Sequence, residues 1–376
     1  MVVMVHSLVC WKTEIFTQQA KGMIEALLIL VSGRAPVILF FVLSGFVLAS
    51  SLRKQPMSMV NISAYFVRRL FRLVPAAYCG LVLALVIFFV VREFFDLDHS
   101  LLYLKDWIGA HYAASLADLP INMEFASNSI NPVYWTLHVE VMGSVLMPVI
   151  VLALQSRKKI LIAGMIMILL MLPFFPHKFT SLGGATNALI FCFALGALSF
   201  YLLSESSVRS VLTGYMGIAG CLVLLFAHKL VGENSIFGGL LGTSHYLIPV
   251  LGSGDNVGML LQHYLEALGA TVLVAYLAIH GNKVLILMSR PAVFLGKISY
   301  SLYVIHFSIL ALVVAVLGAM GYVGASGQSI WLPVVTFVTV MAISVPLAFL
   351  SHRFIEIAGM NLGHRYSKSI QQRWGR

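Results

Sequence analysis

Charge is what this sequence has least of. Only 10% of its 376 residues are charged, 60% are hydrophobic and the mean hydropathy is +0.95. A soluble domain carries about 25% charged residues, so a single soluble globular domain is excluded and a polytopic membrane protein is indicated. Acidic residues are scarcer still, 14 against 24 Lys and Arg, for a net charge of +10. Nucleic acid is nevertheless excluded as a partner, because the basic residues fall between apolar runs, the pattern that orients membrane proteins. The four cysteines, Cys10, Cys79, Cys192 and Cys221, lie in apolar surroundings with no C-x-x-C spacing. Neither a disulfide framework nor a metal centre is expected from them, and they read as small packing residues. The first ten residues lack the basic region and A-x-A exit of a cleavable leader, so insertion is expected to rely on the spans themselves. No G-x-S-x-G elbow is present, which makes Ser44 and Gly45 in LFFVLSGF helix-packing residues rather than a nucleophile site.

What the chain has instead is long apolar runs. A span needs about 20 apolar residues in helix. By length, flanking charge and turn residues, spans are expected at 23–50, 76–92, 131–154, 160–175, 184–203, 211–229, 259–281, 296–318 and 330–351. With the short opening run MVVMVHSLVC, read as a truncated first helix, this gives an all-α bundle of about ten transmembrane helices over residues 1–356. A basic cytoplasmic tail, 357–376, is expected to follow. Placing Arg68, Arg69 and Arg72 in the cytoplasm sends Arg157, Lys158, Lys159, Arg209, Lys283, Arg290, Lys297 and the C-terminus inside by alternation. The inside then holds most of the Lys and Arg, as orientation requires. Two outward loops, 93–130 and 230–256, are candidates to shape the entry of a large acceptor, or are ordinary connections.

Ionisable side chains inside a bilayer cost at least about 2.5 kcal/mol on insertion scales, so each is a functional candidate. The central stretch, Gly33 to Tyr78, joins a glycine-notched apolar segment to a basic elbow. There Arg68, Arg69 and Arg72 stand at i, i+1 and i+4, with at least two guanidiniums on one helix face. Such a patch suits a phosphate-bearing ligand, although topology alone also accounts for it. His6 is a candidate general base by its ordinary pKa, or a histidine bonded between helices. In NPVYWTLHVE, helical spacing puts Thr136, Glu140 and Gly143 or Ser144 on one face. Glu140 is read as orienting the base or as a structural ion pair with Arg34, which also lies in an apolar run. In FLGKISYSLYVIH, Ser299, Tyr303 and His306 fall at i, i+4 and i+7, a polar stripe or a set of interhelical hydrogen bonds.

Four stretches carry a resemblance. LFFVLSGFVLA with YFVRRLFRLVPAAY, NPVYWTLHVE, FLGKISYSLYVIH and the weaker HRFIE, which lacks the usual following proline, resemble the signatures of the integral-membrane acyltransferase-3 family. His6 matches the first-span histidine of that family, and the arginine it pairs with in the motif would fall upstream of Met1. The resemblance implies transfer of an acyl group, acetyl above all, from acyl-CoA (acetyl-CoA) to a hydroxyl of a glycan or glycolipid, in the inner membrane and without a metal. It implies His6, Glu140 and His306 as catalytic residues and Arg68, Arg69 and Arg72 as the coenzyme's holders. Arg34, Trp135, Tyr303 and Ser299 would lie along the substrate path. The alternative on the same residues is a proton-coupled transporter or flippase, since buried His, Glu and Arg among helices also describe a carrier.

Overall fold

The computed structural model describes residues 1–11, 15–95, 116–125, 127–156, 189–204, 214–231, 257–322 and 327–374, with the single positions 162, 164, 166 and 209. It is all-helical, with an isolated parallel bridge between Phe16 and Gln328. The helices used below are α1 (Val2–Val9), α2 (Gln18–Leu30), α3 (Ala35–Arg53), α4 (Met59–Phe94), α5 (Tyr134–Gln155) and α6 (Ile190–Leu202). They continue with α7 (Gly214–Val231), α8 (Val257–His280), α9 (Arg290–Ala319), α10 (Trp331–Ser351) and α11 (Ile357–Trp374). Six helical runs are long and apolar enough to cross a membrane: α3, α4, α5, Leu261–Lys283, α9 and the run from Trp331 to Trp374. The chain is a multi-pass membrane protein. The spans expected at 184–203 and 211–229 correspond to shorter apolar helices, Ile190–Leu202 and Gly214–Ala227. The span expected at 160–175 and the loop at 230–256 lie almost wholly outside the described residues, as does most of 93–130.

One expected boundary is corrected. The run 23–50 is two helices, because Val31 turns to extended backbone and Gly33 and Arg34 lead into α3, whose first turn holds Pro36. Proline opens a helix well, because its fixed φ suits the first turn and the N–H it lacks would have no partner there. The elbow is also shorter than expected. The turn occupies 54–58, closed by Ser58 N–H on the Pro56 carbonyl (2.8 Å) and by Asn61 Nδ2 on the same oxygen (2.9 Å). From Met59 a single 36-residue helix then runs through Pro75. At about 1.5 Å per residue it is about 54 Å long, against a hydrocarbon core of about 30 Å. Its basic first turns therefore have length to stand clear of the lipid.

The chain divides into two compact units. The first comprises Met1–Gly33, Val67–Trp135 and Arg290–Ser369; the second comprises Arg34–Phe66, Thr136–Ser289 and Ile370–Arg376. In the first, α9 packs on α10 and α1 on both. Side chains lock α4 to its neighbours there. Tyr300 Oη donates to the Leu73 carbonyl (2.7 Å) and Tyr134 Oη to that of Ala77, while Asn131 Nδ2, just before α5, donates to the Val304 carbonyl of α9 (3.0 Å). In the second unit, α3 and α6 meet backbone to backbone: a Cβ on Gly45 would fall 2.2 Å from the Phe193 carbonyl oxygen, and one on Gly196 2.0 Å from that of Val42. Small residues permit such contact, which in lipid replaces the missing hydrophobic drive.

Residues 357–376, expected as a basic cytoplasmic tail, are helical through Trp374. The last span continues through a π-helical turn, His352–Glu356, into α11. Gly359 and Gly363 seat that helix on Phe71, and Tyr366 stacks on the Phe71 ring (5.5 Å).

Candidate active site

In the first unit the fold joins two histidines 300 residues apart in sequence. α1 is anchored by Trp11, whose indole donates to Thr336 Oγ1 (3.2 Å), and by Ile15 to Thr17. There Gln328 N–H donates to the Ile15 carbonyl (2.8 Å) and Thr17 N–H to that of Gln328 (2.9 Å). This sets His6 Nδ1 3.1 Å from His306 Nε2, with ring planes 11° apart and centroids 5.3 Å apart, a separation that suits an edge-to-edge N–H···N bond. Phe307 stands edge-on to His6 at 5.5 Å. His306 is fully buried and His6 half-buried.

The second ring nitrogen of His306 fixes the direction of the bond. His306 Nδ1 lies 2.7 Å from the Tyr303 carbonyl oxygen, which can only accept, so Nδ1 carries the hydrogen. In a neutral ring Nε2 is then the acceptor, and His6 Nδ1 must be the donor. His6 Nε2 is left with its lone pair, the form a base needs. The order Tyr303 carbonyl, His306, His6 parallels the orienting group and base of a hydrolytic triad, with a histidine in the orienting place.

Arg68, Arg69 and Arg72 all lie on α4, with Arg68 and Arg72 one turn apart on the same side. Arg68, Arg69 and Arg72 are each half-buried. Arg72 donates to Glu356 Oε1, lies over the Tyr300 ring (5.8 Å) and touches Met360 Sδ (3.2 Å). Glu356 is fully buried, and its second oxygen accepts from Ser301 Oγ (2.8 Å) and faces His352 Nδ1 (3.1 Å). The π turn aims Glu356 here, since one residue more per turn rotates every side chain after it. Gly363 packs against the same turn of α4, where a Cβ would come within 3.5 Å of the Arg68 Cα.

The second unit holds the other sequence candidates. Glu140 is buried on α5 and accepts from Ser44 Oγ (3.3 Å), so Ser44 is a hydrogen-bonding residue as well as a small one. Thr136 and Ser144 are buried on the same helix, and a Cβ on Gly143 would strike the Phe193 ring at 2.5 Å. The carboxylate set against Arg34 is Glu266, 3.1 Å from its Nε, with His263 Nε2 3.1 Å from Nη1. Glu266 also accepts from Gln262 Nε2 (3.0 Å) and has no exposed side-chain surface. The facing guanidinium offsets part of the cost of taking that carboxylate out of water.

The stripe expected from Ser299, Tyr303 and His306 is not uniform. Ser299 is exposed and bonds its own turn at the Gly296 carbonyl (2.9 Å), Tyr303 is half-buried, and His306 is fully buried. Ser301, two residues on, enters the buried network instead. Trp135 is half-buried at the start of α5. Sequence reasoning passed over Ser301, His263 and Glu266, and it did not pair Glu356 with Arg72. For His263 and Glu266 the signal was available, because both stand in an apolar helix, where any ionisable group is a candidate. For Ser301 and Glu356 it was not, since their partners are 55 and 284 residues away. Among the described residues no three His, Cys, Asp or Glu side chains converge as metal ligands.

No curated protein and no solved structure shows significant similarity to this chain. A family model described as an acyltransferase domain matches residues 1–353 of the 376, nearly the whole length. The pairing of His6 with His306 and the arginine face of α4 thus stand within the matched region, and the chain belongs to the acyltransferase-3 family, whose members are membrane acyltransferases.

Proposed function

We propose that this protein is an inner-membrane O-acyltransferase that moves an acetyl group from acetyl-CoA to a hydroxyl of a glycan or other envelope molecule. The single observation that carries the reading is the His6–His306 pair, because it leaves His6 Nε2 as a proton acceptor. In the reaction His6 Nε2 takes the proton of the acceptor hydroxyl as its oxygen attacks the thioester carbonyl. The tetrahedral intermediate collapses with loss of the CoA thiolate, and the His6 imidazolium returns the proton to that sulfur. Atoms and charge balance with no further reactant. Arg68 and Arg69, with Arg72 held by Glu356, meet the coenzyme's phosphates through charge-assisted hydrogen bonds at the cytoplasmic surface. Glu140, Trp135, Tyr303, Ser299 and Arg34 are assigned to the path of the substrates.

Membranes containing the protein, given acetyl-CoA labelled in the acetyl group, should pass label to envelope glycans, and His6→Ala should abolish this while the protein still inserts. Full activity in that variant would remove His6 from the mechanism. A second reading, a proton-coupled carrier, draws on the buried Arg34–His263–Glu266 cluster, since such groups inside a bilayer often serve ion pathways. Transport of a glycolipid without any transfer of label would favour it.

A further inference from the structure

The second unit contains a cavity of about 400 Å³ at the end where α3 stops at Arg53 and α6 stops near Leu203. It is lined by Phe46, Arg53, Phe200, Leu203, Arg209 and Ile279, among others. Small-molecule sites run from about 300 to 1,000 Å³ and combine apolar walls with few, well-placed polar groups. Here the apolar part is built in. Leu203 packs with Ala275, Phe46 and Ile279, and Phe46 stands edge-on to Phe200 at 5.4 Å.

The polar groups are two arginines. Arg53 lies over the rings of Phe200 (5.7 Å) and Tyr201 (5.5 Å), which holds its guanidinium at the rim without neutralising it. Arg209 spends its Nε on the Leu203 carbonyl (2.6 Å), so the nitrogens beyond it are the ones a ligand would meet. Both side chains are exposed. Among the described residues no carboxylate pairs with either, in contrast to Arg34 and Arg72, whose carboxylates are fully buried. Two guanidiniums beside an aromatic face fit a phosphate ester on a flat body: the first supply planar, charge-assisted donors and the second a stacking surface. The positive-inside reading puts this end in the cytoplasm, on the side of the donor.

We propose that this cavity takes the phosphorylated adenosine end of the coenzyme donor, with its phosphate between Arg53 and Arg209 and its purine against Phe200. The inference rests on the acyl-CoA reading above and gives that donor a nucleotide site not legible in the motifs. It also explains why an aromatic lines a cavity whose rim is cationic. Adenosine without phosphate binds weakly, because only the stacking contact remains.

The probe is adenosine 3′,5′-bisphosphate, titrated calorimetrically against the full chain in nanodiscs of neutral lipid. Arg53→Gln and Arg209→Gln should each weaken its binding roughly tenfold or more, as expected for losing a hydrogen bond to a charged group. The same variants should raise the KM for acetyl-CoA with kcat unchanged, and Arg53→Lys should recover part of the loss. Unchanged binding in both glutamine variants, with their thermal unfolding as in the parent, would overturn the inference. So would retention of nucleotide binding together with loss of an anionic phospholipid seen by native mass spectrometry, which would make the cavity a lipid site. If the bisphosphate binds through Arg53 and Arg209 but no acyl transfer occurs, the cavity stands and the acyltransfer reading falls. If transfer occurs and the variants keep the parental KM, the reading stands and the cavity assignment falls.

Discussion

Replacing His306 by leucine removes the acceptor of the His6 Nδ1–H bond while keeping an apolar side chain at a fully buried position. The His6 ring then loses what fixes its tautomer, and either nitrogen can carry the hydrogen. Losing one partner of a buried hydrogen bond costs about 1–3 kcal/mol. If the pair orders the base only when the acceptor hydroxyl is deprotonated, that energy appears in kcat, a fall of roughly five- to 150-fold at about 1.4 kcal/mol per decade. Loss of the base itself is worse, about 10²–10⁴-fold. His306→Leu should therefore lie between the parent and His6→Ala. His306→Gln offers an amide oxygen to His6 Nδ1–H and should recover part of the rate. The assay is the initial rate of labelled acetyl transfer in proteoliposomes, with acetyl-CoA varied to separate kcat from KM and thermal unfolding checked for each variant. A leucine variant with parental kcat, or a change confined to the KM for acetyl-CoA, would refute the assignment of His306 as the group that orients His6.

Arg68→Ala and Arg69→Ala should raise the KM for acetyl-CoA severalfold with little change in kcat, and an unchanged KM in transfer assays would return the elbow to a purely topological role. Glu356→Ala should destabilise the protein by roughly 3 kcal/mol, because it leaves Arg72 without its carboxylate. This would appear as a lower thermal midpoint in detergent, and a midpoint matching the parent would show the pair to be idle. Gly196→Val should block close approach of α3 and α6, where even a Cβ would lie 2.0 Å from a carbonyl oxygen. Overpacking of that kind costs about 1–3 kcal/mol or more. A normal yield of monodisperse protein on size exclusion would contradict the packing described.

Local sequence was a good guide wherever a short window carries the information. Apolar runs located α5, α9 and α10, since about 20 apolar residues have few other places to go. It erred where two signals overlapped: Gly33 and Pro36 break the 23–50 run, yet hydropathy reads straight across them. Residues 357–376 are expected as a basic cytoplasmic tail, and their charges do not announce that Gly359, Gly363 and Ser367 are buried on α11. Periodicity put Ser299 on a stripe with His306, but which face of a helix meets protein depends on neighbours the window does not contain.

The sequence by itself determined that this is a multi-pass helical membrane protein and, through its motifs, which family it belongs to. His6, His306 and the arginines of α4 were nameable as chemical groups because an ionisable residue in an apolar run is improbable without a use. Only the tertiary structure decided their partners: His306 with His6 and the Tyr303 carbonyl, Arg72 with Glu356, Arg34 with Glu266. Those pairings span 284 and 300 residues in the first unit and more than 200 in the second. No spacing rule reaches that far, because a hydrogen bond depends on where two helices are brought side by side and not on the distance along the chain that joins them.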